Sequence, residues 1–224
     1  MEKIIVRGFL ICFFIYGMLT WNPGLLCAQT SPVSGWLQKA QTASKAGKYD
    51  QAMKWWKKAA VYGNEEAEFS VGLLYCTGQG TSQDYSKAMK WWLKASSQGL
   101  AKAEFNIGVL YDKGLGVPEN KPQAMIWYQK AAEQGYADAQ YNIGILFVYG
   151  EGVPLDFEEA MKWFLKADAK GHAEAEYNIG NLYARGYGVT QNNLEAMKWY
   201  LKSAARGNSD ALKAIELLKN NETP

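Results

Sequence analysis

The chain has 224 residues, of which 48% are hydrophobic, and its 24 Lys and Arg against 22 Asp and Glu give a formal net charge of +2. Nine Trp and fourteen Tyr supply ample apolar surface for burial, which excludes disorder over most of the chain. The balanced charge lacks the strong basic excess of nucleic-acid-binding proteins, so we expect no nucleic acid among the partners.

The first 28 residues have the pattern of a secretory signal peptide. Lys3 and Arg7 precede an apolar run from Gly8 to Trp21, and Ala28 is a small residue suited to the cleavage position. The run is shorter than the roughly 20 residues that a membrane-spanning helix needs. We therefore expect cleavage after Ala28, no membrane span in the mature chain, and export to the periplasm or the outside of a bacterial cell. An uncleaved N-terminal anchor is the alternative.

Cysteine usage limits how the exported chain can be stabilised. Cys12 and Cys27 belong to the leader, which leaves Cys76 as the only cysteine of the mature chain. No intrachain disulfide can then form, so packing must stabilise the fold.

A short polar segment separates the leader from the fold. Residues 29–35 are rich in Ser, Thr, Pro and Gly and predict a flexible linker. A helix is expected from about Trp36 to Ala46, closed by Gly47, as an N-terminal capping element.

One motif organises the rest of the chain. Ala-Met-Lys-Trp-Trp begins at Ala52 and returns in closely related form every 36 residues, at Ala88, Ala124, Ala160 and Ala196. Its apolar residues fall at i, i+3, i+4 and i+7, which predicts an amphipathic helix that we call helix A. A period between roughly 20 and 50 residues is typical of a solenoid of stacked repeats.

A second helix, helix B, follows each helix A after a helix-ending glycine. The example from Ala103 to Tyr111 is apolar on two sides, so we expect it to pack between neighbouring helices. A glycine inside this helix costs about 1 kcal/mol relative to Ala, and we expect it to let helix B approach the bulky rings of helix A closely. Mid-helix asparagines are expected to hydrogen-bond loop backbone between repeats. The glycines are Gly72, Gly108, Gly144 and Gly180, and the asparagines are Asn106, Asn142 and Asn178.

These features predict an all-α fold over residues 36–220, a right-handed α/α superhelix of about five 36-residue helix-turn-helix repeats with terminal capping helices. The last copy replaces the packing glycine by Glu216 and two aromatics by Lys213 and Lys219, which gives a capping helix a polar outer side. We place the repeats near 49–84, 85–120, 121–156, 157–192 and 193–220, followed by a tail at 221–224.

The combined signature of the repeat resembles that of the Sel1-like repeat family of bacteria, relatives of the tetratricopeptide repeats. It consists of Ala-x-x-Trp-aromatic-x-Lys-Ala, the helix-ending glycine, Ala-x-x-x-aliphatic-Gly-x-Leu-Tyr and Gly-x-Gly-Val, from about Tyr49 to Lys219. The resemblance implies an adaptor that binds protein or peptide partners on a concave surface. Some exported members of the family, with paired cysteines, bind or hydrolyse β-lactams, but this chain lacks those pairs and contains no Ser-x-x-Lys.

The residue types needed for catalysis are sparse. His172 is the only histidine and is expected to be a surface turn residue, so no multi-histidine metal site can form. Glu68, Glu104 and Glu176 fall in the first turn of helix B, where they favourably meet the helix N-terminus. We expect a non-enzymatic protein with no catalytic residue, metal or cofactor. The alternative is an envelope enzyme or a cell-wall-binding or β-lactam-interacting protein, which nitrocefin turnover and peptidoglycan pull-down would reveal.

Lysine occupies the third and seventh positions of the motif in nine of ten cases, with Ile126 as the exception. The i, i+4 spacing places these lysines on one face of helix A, which makes a basic ladder along the superhelix. In related tetratricopeptide folds helix A lines the concave groove, so the ladder is predicted to meet an acidic segment of a partner. The alternative is solvated lysines paired with acids of adjacent helices. The candidate partner-binding residues are Lys54, Lys58, Lys90, Lys94, Lys130, Lys162, Lys166, Lys198 and Lys202.

Overall fold

The computed structural model describes residues 32–221, and over this range it has eleven α-helices and no strand. The helices are α1 (Pro32–Lys45), α2 (Tyr49–Val61), α3 (Glu65–Thr77), α4 (Tyr85–Ser97), α5 (Ala101–Lys113), α6 (Lys121–Glu133), α7 (Ala137–Tyr149), α8 (Phe157–Asp168), α9 (Ala173–Arg185), α10 (Asn193–Ala205) and α11 (Ser209–Asn221). Helix A of the sequence is α2, α4, α6, α8 and α10, and helix B is α3, α5, α7, α9 and α11. The predicted all-α repeat solenoid is confirmed. Within 32–221 no helix is both long and apolar enough to cross a membrane.

The first helix begins earlier than the sequence predicted. Pro32 opens α1, so the linker expected over residues 29–35 is wrong from Pro32 onward. Proline suits the first position of a helix because its fixed φ is helical and its missing N–H would have no partner there. Val33, Trp36 and Leu37 then pack against the first hydrophobic core. The signal peptide, the rest of the linker and residues 222–224 lie outside the described residues.

Both ends of helix A are fixed by local chemistry. From α4 to α10, each helix A begins at an Asp or Asn whose side chain accepts a backbone N–H; Asp84, for example, accepts from Lys87 at 2.8 Å. The chain then leaves the helix through the expected glycine, such as Gly99 with φ +85°. Only glycine adopts this left-handed backbone without a steric cost. These caps fix where each helix A begins and ends, so its length is 12 or 13 residues in each repeat.

The glycine inside each helix B touches the aromatic ring of the helix A that follows it. A Cβ built on any of the four glycines would lie 2.5 or 2.6 Å from a ring atom. The rings are those of the fifth motif position and are almost fully buried. The predicted packing role of the glycines is therefore confirmed, and the structure identifies the partner rings. The pairs are Gly72 with Trp92, Gly108 with Tyr128, Gly144 with Phe164 and Gly180 with Tyr200.

The last helix covers its core incompletely. Lys213, Glu216 and Lys219 are exposed on α11, as expected of a capping helix. However, Leu212 and Leu217 are also 55% and 63% exposed, because no further helix among the described residues packs on them.

The glycine contact predicts opposite effects for two Gly→Ala changes. Gly108→Ala should destabilise the fold by about 1–3 kcal/mol, because the new methyl group would lie 2.6 Å from the buried Tyr128 ring and force the packing to shift. Gly35→Ala in α1 should stabilise by up to about 1 kcal/mol, because nothing lies within 4 Å of its Cβ position and Ala is the better helix former. Urea unfolding of both variants tests this, and equal stabilities would contradict the packing role of Gly108.

Candidate functional site

The nine lysines of the ladder are all exposed on the helices that carry them. Each lysine at the seventh motif position lies over the Trp at the fourth, with its Nζ between 3.6 and 4.9 Å from a ring centroid. The i, i+3 spacing brings the two side chains together, and the ring face attracts the ammonium group. The sequence analysis missed these contacts. The pairs are Lys58 with Trp55, Lys94 with Trp91, Lys130 with Trp127, Lys166 with Trp163 and Lys202 with Trp199.

Within residues 32–221, lysines of the ladder form ion pairs only on α8 and α10. Lys162 and Lys198 pair with Glu159 and Glu195 one helical turn earlier, both at 2.5 Å. Lys202 pairs with Asp168. No ion pair within 32–221 involves the remaining six: Lys54, Lys58, Lys90, Lys94, Lys130 and Lys166. The alternative of lysines neutralised by nearby acids therefore fits mainly the C-terminal repeats.

Two cavities lie away from the ladder, between successive helices B. One, of about 360 Å³, lies along α5 and α7, and the other, of about 400 Å³, lies along α7 and α9. They occupy equivalent places one repeat apart, since Tyr141 and Asn142 in the first correspond to Tyr177 and Asn178 in the second. No lysine of the ladder lines either cavity.

Tyr128 lines the α5–α7 cavity, and its hydroxyl is buried. Tyr128 is 1% exposed, and its hydroxyl makes no hydrogen bond within the described residues, although Asn142 and Asp112 are its polar neighbours. Burial, with the charge of Asp112, raises the pKa of Tyr128 well above its ordinary value. The hydroxyl is therefore protonated at neutral pH.

An ion-pair network borders the same cavity. Lys121 Nζ lies 3.0 Å from Asp112 Oδ1 and 3.0 Å from Glu151 Oε2. Burial opposes the charge of Lys121, but the two carboxylates outweigh it and raise the pKa of this lysine. The network joins the end of α5, the start of α6 and the loop after α7. Its buried acid is absent from the equivalent positions of other repeats, which hold Cys76, Val148 and Ala184.

Aromatic and amide side chains line the α7–α9 cavity. Tyr149 and Tyr187 are 67% and 42% exposed, and Arg185 is exposed without an ion pair among residues 32–221. Asn178 donates to the carbonyl oxygen of Glu174 at 3.0 Å, one turn earlier in the same helix. The expectation that this asparagine bonds loop backbone is therefore wrong. Concave sites that combine aromatic side chains with well-placed polar groups are the usual form of a binding site.

The three glutamates of helix B are more deeply buried than their place in the first turn suggested. Each accepts a hydrogen bond from a side chain just beyond the next helix A: Glu68 from Gln98 at 2.7 Å, Glu104 from Gln134 at 2.7 Å and Glu176 from Arg206 at 2.8 Å. Burial raises the pKa of all three carboxyls. These acids join each helix B to the end of the helix A that follows it, a role that the sequence analysis missed.

His172 is also more than a surface turn residue, so that expectation is wrong. Its side chain is 11% exposed, its Nδ1 accepts the N–H of Ala175 at 3.2 Å to cap α9, and its Nε2 lies 3.3 Å from Asp138 Oδ1. The ring stacks on Tyr141 at 4.6 Å between centroids. No group of three His, Cys, Asp or Glu within 32–221 is arranged to hold a metal ion.

Comparison with protein families finds one match. The model of a family described as Sel1 repeat matches residues 45–60, 65–100, 101–136, 137–172 and 173–208, well over half of the chain. Comparison with curated proteins finds no match.

Solved structures share both sequence and fold with the chain. A Sel1 repeat protein from Oxalobacter formigenes is 36% identical with a TM-score of 0.73, over 80% of this chain and 73% of that one. A protective antigen of uropathogenic Escherichia coli strains is 34% identical with a TM-score of 0.72, over 82% of this chain but only 43% of the antigen. A putative Sel1 repeat protein from Klebsiella pneumoniae, 22% identical with a TM-score of 0.55 over 84% and 93% of the two chains, shares the fold.

The family model begins its complete units at the glycine-bearing helices. Residues 65, 101, 137 and 173 are the first residues of α3, α5, α7 and α9, so the lysine-bearing helix is the second of each unit. In tetratricopeptide folds the first helix of each unit lines the concave groove. The lysine-bearing helices are second in their units, so the predicted place of the lysines in that groove loses its support. When the units are divided in this way, both cavities lie between the first helices of successive units.

Glu104 provides a pH-dependent test of the buried carboxylates. Because burial raises its pKa in the folded state, Glu104 stabilises the fold fully only below the ordinary glutamate pKa of about 4.3, and the contribution is lost as the pH rises through the raised value. Glu104→Gln should therefore increase the free energy of unfolding at neutral pH and have a smaller effect in acid. Gln140 holds the equivalent position in α7, which shows that the amide fits.

Urea unfolding of the unchanged protein and of Glu104→Gln, at neutral and at acid pH, measures this difference in the free energy of unfolding. Glu133→Gln, on the exposed surface of α6, is the control for loss of one negative charge. A decrease in stability at neutral pH, or the same change in both variants, would contradict the role of burial.

Proposed function

The chain belongs to the Sel1 repeat family, whose members generally act as protein-interaction scaffolds, and we propose that it is an exported, non-enzymatic scaffold. It binds an extended segment of a protein partner across α5, α7 and α9. The two equivalent cavities between these helices carry the proposal.

The size and repetition of the cavities suit an extended chain. Volumes of about 360 and 400 Å³ each accept one or two side chains. Packed helices are separated by roughly 8–10 Å, and an extended chain advances roughly 3.3 Å per residue. Side chains a few residues apart in one segment can therefore enter both cavities.

Polar groups in the cavities supply hydrogen bonds for such a segment. The buried Tyr128 hydroxyl has no partner within the described residues, and leaving such a group unpaired costs about 1–3 kcal/mol. A carbonyl oxygen of a bound segment would satisfy it once the Tyr128 ring turns its hydroxyl into the cavity. Asn142 and Asn178 add an amide group to each cavity.

The scaffold assignment also fits the arrangement of the acids. Three of the helices B carry a buried glutamate that accepts a hydrogen bond from a side chain beyond the next helix A, and α7 has Gln140 in its place. An acid–base reaction requires two such groups held close together in one cleft. Their linking role explains their burial without catalysis.

Export rests on the N-terminal sequence, where Lys3 and Arg7 precede the apolar run and Ala28 suits cleavage. A fusion of residues 1–35 to a reporter that is active only outside the cytoplasm tests it. The same fusion with the apolar run interrupted by charged residues should be inactive, and equal activity of both would contradict export.

The partner-binding surface can be tested by crosslinking in intact cells. A photo-crosslinking amino acid in place of Tyr149, exposed at the α7–α9 cavity, should capture one or a few proteins. The same group in place of Leu212, which is 55% exposed on α11 and lines neither cavity, is the control position.

Filling the cavities should then abolish capture. Asn142→Leu combined with Asn178→Leu should reduce crosslinking at least about tenfold, because the larger apolar groups occupy the space and remove the amides. Asn106→Leu is the matched control, since this equivalent residue of α5 lines neither cavity. With thermal unfolding of all variants recorded, undiminished capture by a folded double variant would contradict the proposed surface.

A further inference from the structure

Positive charge is concentrated at the N-terminal end of the solenoid. Residues 32–64 contain six lysines and a single acid, Asp50, whereas residues 65–221 contain 16 basic and 19 acidic residues. A net charge near zero for the whole chain therefore conceals a basic end, formed by α1 and α2, on an otherwise slightly acidic solenoid. The six lysines are Lys39, Lys45, Lys48, Lys54, Lys57 and Lys58.

A cavity of about 350 Å³ lies between α1 and α2 in this basic end. Lys39 and Lys48 contribute its charges, Trp55 contributes an aromatic wall, and no Asp or Glu lines it. Gln38, Thr42 and Gln51 add groups that can donate hydrogen bonds. The lining therefore favours an anion, in contrast to the α5–α7 cavity with its two carboxylates.

Trp55 holds two lysines without neutralising them. Lys39 Nζ and Lys58 Nζ lie 4.7 and 4.6 Å from a ring centroid of Trp55, and neither forms an ion pair within 32–221. A cation over an aromatic ring retains its full charge, so both ammonium groups can still pair with a carboxylate. The ring also restricts the two side chains, which lowers the entropy lost on binding.

The unpaired lysines continue from this cavity along the same set of helices. Lys54 on α2 and Lys90 on α4 are exposed and have no ion pair among residues 32–221. Lys94 and Lys130 form none either, although their charges reach the buried Glu68 and Glu104. From α8 onward the third-position lysines are paired with acids of their own helices. The free positive charge thus forms a row that begins at Trp55.

We propose that the α1–α2 cavity and the lysines that follow it bind an acidic segment of a protein partner, with carboxylate side chains paired to Lys39 and Lys48 in the cavity and to Lys58 beside it on Trp55. A row of charges on successive helices suits an extended chain better than a plane of headgroups. The proposal rests on the scaffold function above but uses a different surface from the two cavities of α5, α7 and α9.

Binding of a fluorescein-labelled oligoglutamate to the mature chain, followed by fluorescence anisotropy at physiological salt, tests the proposal. Lys39→Gln, Lys48→Gln and Lys58→Gln combined should weaken binding about tenfold, which corresponds to roughly 1.4 kcal/mol. The matched control removes three lysines that are already paired with acids, by Lys162→Gln, Lys198→Gln and Lys213→Gln, and should change affinity less than about twofold.

Equal losses in the two triple variants would overturn the proposal, because they would indicate attraction to overall charge alone. Binding to phosphatidylglycerol vesicles that depends on Lys39, Lys48 and Lys58, without binding of oligoglutamate, would overturn the proposal and assign the surface to a membrane instead. Displacement of oligoglutamate by inorganic phosphate at equal charge concentration would indicate a small-anion site and also overturn it. Thermal unfolding establishes that each variant is folded. If the triple variant is unfolded, the single variant Lys48→Gln replaces it in the binding measurement. Crosslinking at Tyr149 is independent of these lysines, so failure here and failure of the scaffold surface can be distinguished.

Discussion

In every complete repeat, an aromatic ring of one helix occupies the place where the neighbouring helix would carry a Cβ. The four glycines that allow this contact, with Cβ positions 2.5 or 2.6 Å from a ring atom, fix how closely each helix B meets the next helix A. Because the contact recurs at the same place in each repeat, it propagates one geometry along the chain. Most residues of the candidate binding surfaces lie outside this contact, although the contact rings of Tyr128 and Phe164 also line the two cavities.

The solenoid has two candidate binding surfaces of different character. Between α5, α7 and α9 the helices B leave cavities lined by aromatic rings, amides and a buried hydroxyl, which suit the side chains and backbone of a bound segment. On the helices A, lysines lie over tryptophans, and only the C-terminal part of that row is paired with acids. On the proposals above, a scaffold with one surface lined by aromatic and amide groups and one basic surface can hold two parts of a partner, or two partners, at once.

The repeating part of the fold could be predicted from the sequence, because a 36-residue period and the i, i+3, i+4 pattern report directly on helices and their packing faces. The glycine contact followed from the energetic cost of glycine inside a helix. The bond from Gln134 to Glu104 could not be predicted in the same way, since it joins residues 30 positions apart on different helices. The cavities depend on side-chain directions in three helices at once. The early start of α1 was missed because Pro32 and Gly35 resemble a linker in composition, although proline is favourable at a first helical position.

Hydrogen–deuterium exchange of the mature chain, with and without its crosslinked partner, tests most directly whether the surface between the glycine-bearing helices is the binding surface. The account predicts slower exchange on binding in the segments 141–149 and 177–187, which line the two cavities. A protein whose only protected segments lie outside α5, α7 and α9 and their following loops would contradict it.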